Sequence, residues 1–169
     1  MGVIFDLDQT LIDSKIAEKE RKNGNWKTVY SLIPKFKVYD GIKETIHFLK
    51  DREIQIAIVS TSPRSYCQKV LSGWDLFHNH IIAYHDTTKK KPFPDPMLKA
   101  LELMKEKSSE VISFGDRLID LESSRSAQIK CIGCTWDSND DLSSFKPDFL
   151  IKKPIEIIPL VKEFFNIKK

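Results

Sequence analysis

Val3-Ile4-Phe5-Asp6-Leu7-Asp8-Gln9-Thr10-Leu11-Ile12 is the stretch on which the reading of the fold turns. Val3 to Phe5 is a short apolar run of β-branched and aromatic residues, the pattern of a buried strand. Two aspartates follow, two residues apart, and a threonine comes two later. Side chains alternate along an extended chain, so Asp6 and Asp8 point the same way if the strand continues. At the C-terminal end of a strand they stand where open α/β sheets bind ligands. Two carboxylates that close repel each other unless a cation or a shared proton intervenes. A hard divalent cation with oxygen ligands, such as Mg2+, meets that need. The competing reading is a strand followed by a polar turn, because Asp is common in turns.

Working outward, the same arrangement recurs. Ile54 to Val59 reads as a second buried strand and ends in Ser60-Thr61-Ser62-Pro63. Pro63 suits the first turn of a helix running to about Leu71. The hydroxyls before that helix form either an anion site or a simple N-cap. Ile81 to Ala83 is a third short strand. After it, Lys91-Pro92-Phe93-Pro94-Asp95-Pro96 makes a stiff, extended loop that either aims Lys91 at a fixed point or is a solvated basic loop. The next helix starts at Asp95-Pro96, with Met97, Leu98, Ala100, Leu101, Leu103 and Met104 on its apolar side. Val111 to Phe114 is a fourth strand and ends in Gly115-Asp116-Arg117-Leu118-Ile119-Asp120. Asp116 and Asp120 share a face if that segment is helical. Cys131 to Trp136 and Asp148 to Ile151 supply a fifth and a sixth strand. Amphipathic helices are expected from Asp40-Gly41 to about Arg52 and from Glu156 to Phe165. The basic tail is expected to fray.

Strands alternating with helices predict an α/β fold: a three-layer αβα, Rossmann-like domain around a central, mostly parallel sheet of five or six strands. Residues 1–169 read as one domain, with 14–39 a small cap-like excursion. That excursion is polar, with a charge run from Lys15 to Lys22. Ser14 is placed to cap a short helix that Asn23-Gly24 ends. Its aromatic residues, Trp26, Tyr30 and Phe36, either pack the excursion or line a substrate mouth.

The net charge of +3, from 27 basic and 24 acidic residues, is too mild to indicate nucleic acid or an anionic membrane surface. No apolar run approaches the roughly 20 residues of a membrane span, and no leader is visible, so a cytoplasmic protein is expected. Cys131-Ile-Gly-Cys134 has redox-pair spacing. It lies in an apolar strand with no second Cys/His pair to complete a zinc site, so both cysteines read as structural.

Acids that hold a cation, a hydroxyl and an ammonium that hold an anion, and one further carboxylate to react make an inventory suited to phosphoryl transfer. The set resembles the haloacid dehalogenase-like superfamily of phosphohydrolases. Asp6-Leu7-Asp8-Gln9-Thr10 matches its first motif, Ser60 its second, Lys91-Pro92-Phe93-Pro94 its third, and Gly115-Asp116 through Asp120 its fourth. The motif style is similar to phosphoglycolate-phosphatase-type members. The resemblance implies a Mg2+-dependent phosphatase that hydrolyses a phosphate monoester. Asp6 would be the nucleophile, Asp8 the general acid and then base, and Lys91 a catalytic and phosphate-binding cation. Ser60 and Thr61 would bind the phosphoryl oxygens. The metal would sit on Asp6, Asp116, Asp120 and the backbone carbonyl of Asp8. The substrate would be a small phosphorylated molecule or a macromolecular one, and an oligomer is compatible with the sequence. A phosphotransferase or mutase of the same superfamily, or a non-catalytic metal- or phosphate-binding module, is the alternative. The sequence departs from the common pattern at Gln9, where many members carry Gly. It also has too few residues after the first motif for a full helical cap.

Overall fold

The computed structural model describes residues 1–167; the fraying expected of the basic tail at Lys168 and Lys169 lies outside them. The elements in chain order are β1 (Gly2–Phe5), β2 (Ile12–Asp13), α1 (Glu18–Lys22), α2 (Trp26–Leu32), β3 (Lys37–Val38), α3 (Ile42–Asp51) and β4 (Gln55–Val59). They continue as α4 (Arg64–Gly73), β5 (His80–Ile82), α5 (Asp95–Met104), β6 (Val111–Gly115), α6 (Leu118–Ser126), β7 (Lys130–Cys134), β8 (Phe149–Ile151) and α7 (Ile157–Phe164).

Six strands form one sheet in the order β5-β4-β1-β6-β7-β8. Every pairing in it is parallel. A parallel sheet needs a crossover between neighbours, and those crossovers cover both faces with helices. The pleat decides which residue faces which layer. Val3 and Phe5 of β1 look into one layer with Ile56, Ile58 and Phe114, packed by Ile42, Ile46 and Leu49 of α3, Tyr66 and Val70 of α4, and Ile157 and Val161 of α7. Ile4 looks the other way, with Ala57, Val59 and Ile82, onto Met97, Ala100 and Met104 of α5. Leu121 of α6 covers Cys131 on that same side. Phe5 and Phe114 stack with ring centroids 5.3 Å apart, an arrangement that adds about 0.5–1.5 kcal/mol to their burial.

The order β4-β1-β6 is what assembles the site. β1 is central, flanked by the two strands that carry the other polar ends. Asp6, Ser60 and Asp116 therefore leave the sheet side by side, at its C-terminal edge.

The excursion is a small roof with its own supports. Its two crossings pair as an antiparallel ribbon, Ile12 opposite Val38 and Asp13 opposite Lys37. Between them α1 ends at Gly24, whose φ of +69° suits glycine. α2 is capped by Asn25, which accepts from the Thr28 amide. Ala17, Val29, Ile33 and Phe36 are buried in the same core as the sheet. Phe36 is thus a packing residue.

One expectation changes on α5, and the reading of the two cysteines holds. Leu98 and Leu103 of α5 are 50% and 39% exposed, whereas Pro96, Met97, Ala100 and Met104 make its buried face. The apolar stripe was wider than the surface the sheet offers. Cys131 and Cys134 are free, buried side chains on opposite faces of β7. Burial pushes both thiols up, Cys134 well above the ordinary range. Among the described residues no helix is long and apolar enough to cross a membrane.

Candidate active site

β1 stops at Phe5, and the chain turns at once. The Asp6 amide donates to the Phe114 carbonyl (3.0 Å), which ties the start of the turn to β6. Gln9 adopts φ +64°, and its amide reaches back to the Ile12 carbonyl (2.8 Å). A non-glycine residue in that left-handed region costs on the order of 1 kcal/mol. The tight turn corrects one expectation: Asp6 and Asp8 do not share one strand face, because Asp8 lies beyond the strand and its carboxylate enters a different set of contacts.

Asp6 is 9% exposed and faces Lys91. The Lys91 ammonium is buried and donates to Asp6 Oδ1 (2.7 Å), Asp120 Oδ1 (2.5 Å) and the Val59 carbonyl (2.9 Å). All three of its donor positions are therefore used. Lys89, two residues earlier, is exposed. The solvated-loop reading holds for Lys89 and fails for Lys91.

Gly115 ends β6, and Asp116 follows. Thr10 donates to Asp116 Oδ1 (2.8 Å), and the Ser138 hydroxyl donates to the Asp116 carbonyl (2.5 Å). Asp116 precedes α6 and is not on a helical face with Asp120. Asp120 sits in the first turn of α6, where its Oδ2 accepts from the Arg117 amide (3.0 Å). Asp6, Asp116 and Asp120 each offer a carboxylate oxygen, and these atoms lie within 4.8 Å of one another.

Asp8 belongs to a second cluster. Its Oδ1 accepts from the Ser14 hydroxyl (2.5 Å) and the Tyr66 hydroxyl (2.5 Å), and Arg21 Nη1 lies 3.0 Å away. Its Oδ2 has the Ser62 hydroxyl at 3.3 Å. Ser14 makes no side-chain cap, contrary to expectation, because its hydroxyl is committed to Asp8. Ser60 is buried and accepts from the Ser62 amide (3.1 Å), while Thr61 is exposed at the cavity rim.

Charge crowding sets the electrostatics. Burial, with Asp120 and Asp8 nearby and Lys91 opposing, pushes the Asp6 carboxyl up to about 7. Burial and the charges of Asp6 and Asp120 push Asp116 up to about 9. Burial alone would lower the Lys91 ammonium, but Asp120 and Asp6 outweigh it and raise it. Carboxyls with raised proton affinity in an oxygen-only cluster fit a hard divalent cation, which would replace the protons as the neutralising charge. Asp6, Asp116 and Asp120 could hold it.

The clusters share one cavity of about 340 Å³. Its floor is Asp6, Asp8, Ser60, Thr61, Ser62, Lys91, Asp116 and Asp120, and its roof is Glu18, Arg21, Lys22 and Trp26 from the excursion. Arg117, Asn139 and Asp140 close one side. Tyr30 is elsewhere, with its hydroxyl on Ser65. Sequence reasoning missed Ser62, Tyr66, Ser138 and Asp140. Tyr66 carried no signal, because it falls on the apolar face of α4 beside Cys67 and Val70.

A family model described as haloacid dehalogenase-like hydrolase matches residues 14–134. That span includes Ser60, Lys91, Asp116 and Asp120 and begins just after the first turn. A protein of Caldanaerobacter subterraneus subsp. tengcongensis, assigned as pyrophosphatase PpaX, is 32% identical over 130 residues, covering 75% of this chain and 59% of that protein. The chain thus spans about three-fifths of the length of the curated relatives it matches. A Thermotoga maritima structure assigned as a beta-phosphoglucomutase superposes with a TM-score of 0.82 at 21% identity, covering 96% of this chain and 99% of that one. A Lactobacillus plantarum structure assigned as a phosphoglycolate phosphatase gives 0.84 at 19% identity, covering 94% and 98%. At these identities the structures speak for the fold.

Proposed function

Since the chain belongs to the haloacid dehalogenase-like hydrolase family, we propose that it is a Mg2+-dependent phosphatase acting through an aspartyl-phosphate on Asp6. The observation that carries this reading is the convergence of three carboxylates and one buried ammonium on a single cavity at the end of the sheet.

In this reading a carboxylate oxygen of Asp6 attacks phosphorus, and the bond from phosphorus to the leaving oxygen breaks. Asp8 gives a proton to that leaving oxygen. Asp8 then takes a proton from a water, whose oxygen attacks the phosphorus of the aspartyl-phosphate. Phosphate leaves and Asp6 is restored. Ser60 and Thr61 hold the phosphoryl oxygens, joined by Lys91 as it gives up its bond to the attacking Asp6. Mg2+, when bound by Asp6, Asp116, Asp120 and the Asp8 carbonyl, supplies positive charge that offsets those oxygens. The roof over the cavity favours a small phosphate ester or anhydride over a macromolecule, and the name of the PpaX relative adds pyrophosphate to the candidates.

The test is hydrolysis of 4-nitrophenyl phosphate and of pyrophosphate by the purified chain, with Mg2+ and with EDTA, beside Asp6→Asn. Metal-dependent release of phosphate that Asp6→Asn abolishes is the expected result. Turnover that survives in Asp6→Asn, or that ignores EDTA, would refute the mechanism.

A further inference from the structure

Asp8 holds its two oxygens in unequal company. Two hydroxyls donate to Oδ1, those of Ser14 and Tyr66 at 2.5 Å each, and the Arg21 guanidinium forms an ion pair with it at 3.0 Å. Oδ2 has one long contact, to Ser62 at 3.3 Å. A carboxylate oxygen that already accepts two hydrogen bonds, with a guanidinium against it, has no room for a reacting proton. The other oxygen is the one left to exchange it.

Tyr66 is the pivot of this seat. It is fully buried, its hydroxyl accepts from Arg21 Nη1 (3.2 Å) and donates to Asp8, and its ring carries the Arg21 guanidinium 5.9 Å from its centroid. Two aromatic residues of the excursion pack on that ring, Trp26 at 5.7 Å and Phe36 at 6.4 Å between centroids. Burial and the neighbouring Asp8 hold the phenol far above its ordinary range, so it remains a donor. Arg21 also bonds the Ser14 hydroxyl (2.7 Å) and carbonyl (3.2 Å). The excursion therefore grips the same carboxylate that the sheet delivers.

We infer that Tyr66 and Arg21 are positioning residues that fix Asp8 by Oδ1 and leave Oδ2 to carry the proton of the leaving group. This rests on the phosphatase reading above and adds to it the residues that aim its acid. Proton delivery matters most when the departing oxygen is basic and least when it leaves readily as an anion. Loss of aim therefore shows itself in leaving-group dependence, which a merely structural role would not alter.

The experiment compares kcat/KM for phenyl phosphate and 4-nitrophenyl phosphate with Mg2+ in wild type, Tyr66→Phe and Arg21→Gln. Tyr66→Phe keeps the packed ring and removes only the hydroxyl; its thermal midpoint confirms folding. The expected result is a loss of about tenfold on phenyl phosphate and about twofold or less on 4-nitrophenyl phosphate in both variants. Equal losses on the two esters, or none, would overturn the inference while leaving the phosphatase reading intact. Absence of Asp6-dependent turnover in wild type would instead overturn that reading, and this inference with it.

Discussion

A Cβ atom built on Gly115 would stand 2.4 Å from the Cβ of Asp120. Glycine at 115 is thus required by proximity, since the first turn of α6 folds back over the end of β6. Gly115→Ala must push Asp120 outward, and Asp120 anchors Lys91. The expected outcome is a destabilisation of about 1–3 kcal/mol, the usual range for overpacking, with loss of most activity. Denaturant unfolding beside a phosphate-release assay checks both. Wild-type activity in this variant would mean that Asp120 has slack.

Lys91 is 7% exposed and compensates two buried carboxylates. Removing one partner of a buried ion pair costs about 3–5 kcal/mol, because the charges left behind are unpaired. Lys91→Ala should therefore lose stability as well as turnover. The burial of Lys91 is what makes stability, as well as activity, depend on it. Because Mg2+ would also neutralise Asp6 and Asp120, adding it should recover part of the lost thermal stability but not turnover. A midpoint insensitive to Mg2+ would argue against metal at these carboxylates.

Metal-free protein should lose stability as pH rises. Asp6 and Asp116 are pushed up to about 7 and about 9 in the fold, from an ordinary value of 3.8. Above about pH 4 the unfolded carboxyls release protons that the folded ones still hold, so stability falls through the range up to about 9. Mg2+ requires the ionised form, so its stabilising effect should grow over that same range. Thermal midpoints in EDTA and in Mg2+, from about pH 5 to about pH 9, test both slopes. Asp116→Asn should flatten the EDTA curve.

Thr10 and Asp116 are 106 positions apart in the chain and 2.8 Å apart in space. Thr10→Val keeps the shape and deletes the donor. We expect a cost of about 1 kcal/mol in stability and a roughly 10–100-fold weaker Mg2+ affinity, the usual effect of losing a bond that orients a metal ligand. Metal titration followed by thermal shift measures the second quantity. Unchanged affinity would make the contact purely structural.

Much of the site was legible because it is written locally. Asp6, Ser60 and Asp116 each stand at or next to the end of a short apolar run, and a parallel sheet brings such ends together, whereas Lys91 was marked by the prolines that follow it. Asp120 was legible by its spacing from Gly115-Asp116, although its position inside α6, with Asp116 outside, was not. Arg21 read as one member of a charge run from Lys15 to Lys22. Its partial burial and its contacts with Asp8, Ser14 and Tyr66 distinguish it from the exposed Lys19. Tyr66 has the spacing of a core residue, and it is one. Its hydroxyl partner lies 58 positions earlier, beyond the reach of any periodicity. Leu98 and Leu103 show the opposite failure: apolar residues at helical spacing for which the sheet had no surface left.

The ribbon that joins the excursion to the sheet, Ile12–Asp13 with Lys37–Val38, has a kinetic consequence. A roof hung from two unpaired strands could swing open alone, and its amides would exchange with solvent long before those of the sheet. Here Val29, Ile33 and Phe36 are sealed into the core that holds Phe5 and Phe114. The excursion and the central strands then open as one cooperative unit, and the buried Val29 amide should exchange its hydrogen on the timescale of global unfolding.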